Sequence, residues 1–404
     1  MSKSIASLLT FAVTTSLALA NGGEGDKKNP YQGGTSWVPG QGIVLAQGNE
    51  FSAKMEGQVQ AGWAYGINDG AADTNSFEIP RARLAWTGNA FSKDLTYRLM
   101  IDGTDTDGAL KDGWAQWAFS SSAGGNLSLR MGQGLSGYGL ESTGSETGLF
   151  FVERSTASRT FGQDRTRDTG AWVHGSHSEN SIRWVVGAQN DDVAAGSDYS
   201  AEGDSNDDNE LTYIGALSFD PMGDTTGGKG NEGVMQGDLD GAKDIKGTVG
   251  VGYQLGNSRT GATDPDLEAN QVNLNTGWML GNGLTVQGEY FMRTESQDGE
   301  DDLDSNGWYA MATYTLPKSG DSAIQWGFGA RINTIDTDGG LSADNLSGLG
   351  VDAGDATEIS LVANAFYHGH SAKTQIELTQ QEVNPDGGDE TTNYIVRLQF
   401  QILF

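Results

Sequence analysis

Polar and apolar residues alternate at every second position through most of this chain of 404 residues. The alternation is clearest at the C-terminal end, where one face carries Tyr394, Val396, Leu398, Phe400, Ile402 and Phe404. The opposite face of the same stretch carries Arg397, Gln399 and Gln401. Side chains two residues apart share one face of a β-strand, so this period predicts strands. One apolar and one hydrophilic face favour a wall between lipid and water, although a soluble sheet edge also alternates.

The same alternation predicts sixteen strands between residue 51 and the end of the chain. They are expected at residues 51–65, 77–88, 94–104, 110–120, 126–133, 169–177, 180–190, 209–219, 245–256, 270–281, 284–294, 306–316, 322–334, 357–368, 371–383 and 391–404. An even number of strands is typical of bacterial membrane barrels, and sixteen strands enclose a water-filled lumen. We therefore predict an all-β fold, a 16-stranded antiparallel transmembrane β-barrel over residues 51–404.

The connections between these strands alternate in length, as they do in a barrel whose two chain ends lie on the same side of a membrane. Tight turns are expected at 89–93, 121–125, 178–179, 282–283, 317–321 and 369–370. Longer loops are expected at 67–76, 134–168, 191–208, 257–269, 295–305, 335–356 and 384–390. Residues 220–244 break the rule, because this Gly- and Asp-rich stretch is long where a short turn belongs. The strand register next to it is therefore the one that the sequence specifies least.

The first fifty residues predict an exported protein with an irregular lead-in. Lys3 precedes an uncharged run from Ile5 to Ala20, and small residues flank Leu19 as at a signal-peptide cleavage site. We predict a signal peptide at 1–20 and an irregular periplasmic segment at 21–50. A membrane anchor is the alternative for the first run, but it is short and no basic stop-transfer cluster follows it.

Composition excludes several classes of function. The chain has 54 acidic and 24 basic residues, a formal net charge of -30, and no cysteine. Nucleic-acid binding requires a basic surface, so no nucleic-acid partner is expected. The absence of cysteine excludes disulfides, Cys-ligated metal centres and a thiol nucleophile. Ten Trp, 12 Tyr and 14 Phe argue against disorder despite the charge.

Much of the negative charge lies in the predicted loops, which leaves a second interpretation open. Acidic loops are usually solvated, but they can also bind divalent cations. Asp302, Asp304 and Asn306 have the spacing that begins an EF-hand loop, although Thr313 stands where the bidentate Glu belongs. These three residues are a weak calcium candidate. The corresponding alternative function is that of a secreted, acidic, calcium-binding β-protein.

The remaining motifs do not predict an enzyme. The glycines of Gly132–Gly137 match the dinucleotide fingerprint, but no periodic helix follows them. The histidines, His174, His177, His368 and His370, match no metal-ligand spacing. No serine lies in a nucleophile elbow. We therefore expect neither a catalytic site nor a cofactor.

Arginines indicate which face of the strands looks inward. Eight of them lie in predicted strands, all on the face opposite the apolar positions: Arg81, Arg83, Arg98, Arg130, Arg183, Arg293, Arg331 and Arg397. A charge on the lipid side costs about 2–4 kcal/mol at mid-membrane, so a barrel turns it inward. The loop at 134–168 has mixed charge, which suits a segment folded into a lumen where opposite charges can pair. The predicted lining of the resulting constriction is Arg81, Arg83, Arg98, Asp102, Asp112, Arg130, Glu153, Arg154 and Arg159.

Residues 77–170 resemble a known family, the phosphate-selective porins of bacterial outer membranes. The resemblance rests on Arg81-Ala-Arg83-Leu, Leu110-Lys-Asp112-Gly-Trp, Leu129-Arg130-Met-Gly-Gln and Phe151-Val-Glu153-Arg154. The final Phe404 also resembles the terminal signal of outer-membrane barrels. The family implies a usually trimeric barrel of sixteen strands in the outer-membrane lipid, with a third loop that narrows each pore. It implies passive diffusion of small hydrophilic solutes or anions, including phosphate, past basic residues.

The chain departs from the family directly after Gln133. Family members tend to continue with a Phe, a Lys and a Pro-Phe pair, whereas this chain has Gly134-Leu-Ser-Gly-Tyr138. A loop lysine is missing, and with it part of the basis for phosphate selectivity. Charge location still predicts anion preference. Most acidic residues lie in outer loops, whereas the arginines line the predicted constriction. At physiological salt a charge is screened beyond roughly 8 Å, so the loop acids should have little effect on an ion in the constriction.

Overall fold

Sixteen consecutive strands pair in antiparallel order and close on themselves in the computed structural model. The structure describes residues 36–38, 42–104, 109–122, 125–162, 167–177, 181–190, 211–225, 236–259, 266–297, 299, 301–318, 324–338 and 353–404. Two short strands come first, β1 (Ser36–Val38) and β2 (Gly42–Ala46). The barrel strands are β3 (Phe51–Ile67), β4 (Thr74–Ala90), β5 (Leu95–Asp102), β6 (Leu110–Ser122), β7 (Gly125–Gly134), β8 (Asp168–His177), β9 (Ile182–Gln189), β10 (Thr212–Phe219), β11 (Lys246–Arg259), β12 (Asp266–Gly281), β13 (Leu284–Gln297), β14 (Leu303–Thr315), β15 (Gln325–Thr337), β16 (Gly354–Phe366), β17 (Ala372–Pro385) and β18 (Thr391–Leu403).

Pairing between β18 and β3 closes the barrel. Its register runs from Tyr394 opposite Ile67 to Leu403 opposite Gln58. Phe404 continues the ladder, since its N–H donates to the Gly57 carbonyl at 2.9 Å and its carbonyl accepts from the Gly57 N–H. All sixteen predicted strands are confirmed, with ends that differ by a few residues. Closure leaves no free edge among the sixteen described barrel strands, which is the condition for a strand wall in hydrocarbon.

The two faces of the wall differ as the alternation predicts. On β17, Ile376 and Leu378 are 46% and 51% exposed, whereas Gln375 and Glu377 are 1% exposed. A soluble protein rarely exposes a continuous apolar surface, and a membrane supplies the apolar surroundings that such a surface needs. The buried polar face therefore looks into the barrel. Among the described residues no helix is long and apolar enough to cross a membrane.

Connections define two ends of the barrel. The turn end carries the connections that follow even-numbered strands, together with the start of β3 and the final residue. One of its two-residue turns is Asn282-Gly283, where both residues have positive φ (54° and 89°). That conformation gives a two-residue hairpin the right twist, and Asn-Gly is the sequence that favours it. The loop end carries the remaining connections.

The N-terminal segment is more regular than the sequence suggests. The sequence predicts an irregular segment at 21–50, but β1 pairs with β2, and β2 pairs with the beginning of β3. In that register Ile43 lies opposite Met55 and Val44 opposite Lys54. Adjacent β-branched residues favour an extended backbone, which explains the extra strand. The expected signal peptide at 1–20 lies outside the described residues.

The long connection between β10 and β11 does not disturb the register. Phe219 lies opposite Val249 and Tyr213 opposite Leu255, with every residue between them paired. The insertion is thus accommodated outside the strand ladder.

The calcium candidate does not form an EF-hand loop. Asp304 and Asn306 lie within β14, where Asp304 accepts a hydrogen bond from Thr294 at 2.7 Å and Asn306 donates to Asp336. An EF-hand requires a curled loop of twelve residues, and a strand cannot supply it. In the described part of the chain no group of three His, Asp or Glu side chains could hold a metal ion.

Candidate functional site: the interior of the barrel

The connection between β7 and β8, residues 135–167, is here called the long loop. Its described residues include the α-helix α1 (Thr156–Phe161), which is capped by Ser155, whose hydroxyl accepts from the Ser158 N–H at 3.1 Å. Serine is a preferred residue at this position because it satisfies an otherwise unpaired N–H. The dinucleotide-like glycines lead into this loop without a helix directly after them. They therefore do not form a phosphate cradle at a helix N-terminus.

Carboxylates and amides of the distant strands accept hydrogen bonds from the backbone of the long loop. Glu289 on β13 accepts from the N–H groups of Leu140 (2.7 Å) and Glu141 (2.6 Å). Glu377 on β17 accepts from the Val152 N–H at 2.7 Å. Bonds from N–H groups to a carboxylate are about twice as strong as neutral ones. These contacts hold the loop against the polar face of the strands.

Donor side chains of the same strands bind the loop carbonyls. The bonds run from Lys373 to Leu149 (2.6 Å), from Gln375 and Asn364 to Phe150 (2.9 Å each), from Arg331 to Glu153 (2.9 Å) and from Gln271 to Phe161 (2.5 Å). Buried backbone groups must find partners, and here the wall supplies them. We call this surface, the inner face of strands β12–β17, the docking wall.

Apolar side chains fill the space between the long loop and the docking wall. Phe150 and Phe151 are fully buried against a cluster that includes Tyr309, Met311, Val362 and Phe366. A second cluster joins Tyr138, Ala157, Phe161, Phe291 and Ile335. Burying each phenylalanine is worth roughly 1.5–3 kcal/mol. This half of the interior is therefore packed like a protein core.

Glycine on β15 makes room for the packing. A Cβ atom at Gly327 would lie 2.7 Å from Cζ of Phe150, which is too close for two carbon atoms. Only a residue without a side chain fits there. The sequence carries this signal in Gly327 and Gly329, which share the inward face of β15 with Gln325, Arg331 and Asn333.

A buried carboxylate joins the opposite side of the long loop to the barrel. Glu146 forms ion pairs with Arg83 on β4 at 2.9 Å and with Arg154 at 3.4 Å, and Arg167 lies 3.9 Å away. Burial opposes ionisation of Glu146, but the attraction of these arginines and Arg81 outweighs it and holds its pKa well below the usual range. The loop is thus fastened to the wall by charge.

A second ion pair lies closer to water. Both guanidinium nitrogens of Arg81 donate to Glu153, at 3.1 and 2.8 Å, and Arg81 also donates to Gln60 at 2.9 Å. Burial again opposes ionisation, yet Arg81, Arg159 and Arg154 lower the pKa of Glu153. A bidentate pair of this kind fixes geometry as well as charge.

The inner face of strands β3–β7 carries the other charged residues, and we call it the charged wall. Its ion pairs join Arg83 to Asp102 (2.7 Å), Arg98 to Asp112 (2.6 Å) and to Glu56 (3.5 Å), and Arg167 to Asp112 (2.8 Å). Arg130 lies farther along, stacked 4.2 Å over the Trp114 ring and bonded to Gln116 at 3.0 Å. Arg159, on α1, donates to Thr156 at 3.1 Å.

The two walls differ in their most exposed charges. On the charged wall and the loop flank beside it, Lys54 is 38% exposed, Glu56 33%, Arg98 28% and Glu153 24%. Arg83, Asp102 and Asp112 of the same wall are buried. On the docking wall, Arg331 and Glu377 are 4% and 1% exposed. Water therefore reaches part of the charge along β3–β5 and little of it at Arg331 and Glu377.

The structure brings five of the nine predicted lining residues into one ion-pair network: Arg83, Arg98, Asp102, Asp112 and Arg154. Two more, Arg81 and Glu153, form the separate pair beside it. Sequence reasoning missed Glu146 and Arg167, which connect that network, and the acceptors Glu289 and Glu377. The alternation of inward and outward positions could have identified Glu289 and Glu377, since both lie at inward positions of predicted strands. No sequence signal distinguishes Glu146 from other loop acids.

Comparison with known proteins identifies the family. The family model "Phosphate-selective porin O and P" matches residues 53–323, more than half of the chain. No curated protein matches in sequence. Porin structures match the fold and do not support a secreted calcium-binding β-protein.

Three solved structures illustrate the likeness. The outer membrane channel DcaP of Acinetobacter baumannii aligns at a TM-score of 0.58 and 12% identity, covering 88% of this chain and 98% of its own. An anion-selective porin from Comamonas acidovorans aligns at 0.57 and 12%, covering 87% and 100%. OmpT of Vibrio cholerae, in a trimer form, aligns at 0.53 and 11%, with the same coverage. With its family and its closed 16-stranded barrel both established, the chain belongs to the phosphate-selective porin O and P family and is a bacterial outer-membrane channel for small solutes.

Proposed function

We propose that small hydrophilic solutes diffuse passively along the charged wall, beside the ion pairs that join it to the long loop. The observation that carries this proposal is the difference in exposure between the walls. Partly open charges lie on β3, β5 and the flank of the loop, whereas the opposite half is filled with phenylalanine. In this interpretation the long loop sets the width of the passage, and Arg81, Arg83, Arg98, Arg130 and Arg159 contribute to its lining.

Charge balance along this route favours anions. Around the passage stand Arg81, Arg83, Arg98, Arg130, Arg154, Arg159 and Arg167, and opposite them Glu56, Asp102, Asp112, Glu146 and Glu153. Seven arginines against five carboxylates leave a positive excess, and Lys54 adds to it. A pore is selective for the sign opposite to the charge at its narrowest part. One structural neighbour is itself described as an anion-selective porin.

Selectivity is expected for small anions in general, phosphate among them. In the segment where the family tends to place a lysine and a proline, this chain has Gly134-Leu-Ser-Gly-Tyr138, and Tyr138 is buried and accepts a hydrogen bond from Gln271 at 3.0 Å. The segment therefore supports the packing of the loop and adds no cation to the passage. Ion pairs also occupy most of the lining arginines, which weakens the field that any one anion meets.

Reversal potentials across a potassium chloride gradient test this proposal. The purified protein in a planar bilayer should pass chloride better than potassium, and Arg98→Ala should lower that preference by severalfold. Lys318→Ala, an exposed lysine at the turn end, is the matched control and should change nothing. If the pore prefers potassium and Arg98→Ala leaves the ratio unchanged, the arginines act only in structure.

The remaining expectations extend the same proposal. We propose that the channel is a homotrimer in outer-membrane lipid and that it is exported with a cleaved leader at residues 1–20. It works by diffusion, with no catalytic step and no cofactor. Light scattering of the purified protein in detergent measures the number of copies, and a single copy per particle would contradict the trimer.

A further inference from the structure

The insertion between β10 and β11 is fixed at its root inside the barrel. Asp220 follows β10 and is buried, and it accepts two hydrogen bonds from Arg183 at 2.6 and 2.9 Å. The N–H and hydroxyl of Thr225 also donate to Asp220, at 2.7 Å each. An aspartate held by four such bonds sets the direction in which the chain leaves the wall.

Residues 236–242 return to the wall across the turn end, and we call them the clasp. Their contacts reach three neighbouring connections: the Gly283 N–H donates to Asp238 (3.1 Å), Gln325 to the Leu239 carbonyl (2.8 Å) and His370 Nε2 to the Gln236 carbonyl (3.0 Å). Two further bonds, both from the Ala242 N–H to Asp238, close the clasp on itself. It therefore spans the mouth of the barrel from the start of β11 to the turn between β16 and β17.

The inner side of the clasp holds the long loop. The Gln236 amide oxygen accepts from the Phe150 N–H at 2.8 Å, and its nitrogen donates to Glu141 at 2.9 Å. Gly237, at φ 84°, lies so close to Phe150 that a Cβ atom there would be 2.7 Å from Cδ2 of the ring. The Phe150 ring is thus enclosed between Gly237 of the clasp and Gly327 of the docking wall.

Leu239 completes the cover. It packs against the apolar cluster of Phe150, Phe151 and Phe366 from the turn end. The clasp thus fits the long loop in three independent ways. Gln236 bonds it through both amide atoms, Gly237 lies against the Phe150 ring, and Leu239 packs on the apolar cluster. A solvated surface turn would need none of them.

We propose that the clasp locks the long loop in place and seals the turn end of the half bounded by the docking wall. Solutes then enter and leave only along the charged wall. The inference rests on the proposed diffusion route and specifies which part of the lumen carries it. The clasp contacts the docking-wall side of the loop, so the ion pairs of the passage are left untouched.

Single cysteines provide the test, because the chain has none of its own. Thr313 is an inward, buried residue of β14, on the half that the clasp covers, and Thr96 is an inward, half-buried residue of β5. Thr313→Cys and Thr96→Cys are each exposed to 2-sulfonatoethyl methanethiosulfonate in the folded barrel. Mass spectrometry measures labelling, and heat-modifiable migration on gels confirms folding.

Thr96→Cys should react readily, and Thr313→Cys at least tenfold more slowly. Adding Gln236→Ala with Leu239→Ala should raise the Thr313→Cys rate at least tenfold and leave Thr96→Cys unchanged. Asp240→Ala, an exposed change within the clasp, is the control and should have no effect. Equal rates for both cysteines in the natural background, or a Thr313→Cys rate that ignores the double variant, would overturn the proposal. A barrel that shows this labelling contrast and conducts no ions would instead refute the diffusion route and leave the clasp standing.

Discussion

On the docking wall, inward carboxylates and amides bind the backbone of the long loop, whereas on the charged wall they pair with arginines beside water. Glu289 on the first wall and Glu56 on the second are both inward glutamates of barrel strands. The first accepts two loop N–H groups and is buried, and the second is one-third exposed next to Lys54 and Arg98. Both glutamates occupy inward positions in the alternation of their strands. Their different roles therefore depend on the groups that each one binds.

The difference also shows how one loop can serve two purposes. Its apolar side, around Phe150, is bound to one wall by packing and backbone hydrogen bonds. Its charged side, around Glu146 and Glu153, faces arginines of the other wall. Rigid attachment on the first side fixes the position of charge on the second, which a selective passage requires.

The largest effect is expected where the docking wall loses a buried acceptor. Glu289→Ala removes the partner of the Leu140 and Glu141 N–H groups, and each buried unpaired group costs about 1–3 kcal/mol. We expect the free energy of unfolding to fall by about 4 kcal/mol in urea titrations followed by tryptophan fluorescence. Thr294→Ala, at a half-buried residue of the same strand whose hydroxyl donates to Asp304, is the control. A loss below about 1 kcal/mol would mean that the loop does not depend on this wall.

A somewhat smaller loss is expected from the apolar packing. Phe150→Ala leaves a cavity between two glycines and should lower the unfolding free energy by about 3 kcal/mol. Current through single channels should become noisier, because the loop would be less firmly held. Phe91→Ala, at a residue 88% exposed in a turn, should change stability by less than about 1 kcal/mol. Equal effects at the two phenylalanines would argue against a packed interior.

The charged wall should show the opposite response. Glu56→Gln removes an exposed negative charge beside Arg98, so the chloride-to-potassium permeability ratio should rise about twofold. Stability should stay within about 0.5 kcal/mol, as for other exposed ion pairs. Asp304→Asn, at the loop end, serves as the matched change of charge away from the passage. Should Glu56→Gln destabilise the barrel and leave selectivity unchanged, the distinction between the walls would fail.

Sequence predicted the wall well and its contents poorly, for a physical reason. Strand alternation is local and repeated, so β3 to β18 follow from the period of two and from turn residues such as Asn282-Gly283. Even next to the long insertion, β10 and β11 pair without a slip, because the apolar face of β11 must look outward. A one-residue slip would turn that face into the lumen.

The interior depends on contacts between residues far apart in sequence. Gln236 meets Phe150 across 86 residues, and Glu377 meets Val152 across 225. No periodicity encodes such partners, so the clasp had no predicted role. The inward arginines were found because charge cannot face lipid, but the acids that neutralise them, such as Glu146, belong to an irregular loop.

The smallest effect is expected from mild acid, and it concerns the charged side of the loop. Arginines outweigh burial and lower the pKa of Glu146 and Glu153 below their usual value of 4.5. A carboxyl whose pKa is lowered by folding adds stability at pH values above that usual value and loses it as the pH falls through the lowered pKa. Between pH 7 and 5 these two groups should therefore stay ionised, and their ion pairs with the arginines should persist. The reversal potential and the unfolding free energy are measured at both pH values. Any change between pH 7 and pH 5 should be the same in the natural protein and in the Glu153→Gln variant. A shift in selectivity between pH 7 and 5 that disappears in Glu153→Gln would show that this carboxyl titrates in the ordinary range, and that the charged wall holds the loop less tightly than the docking wall does.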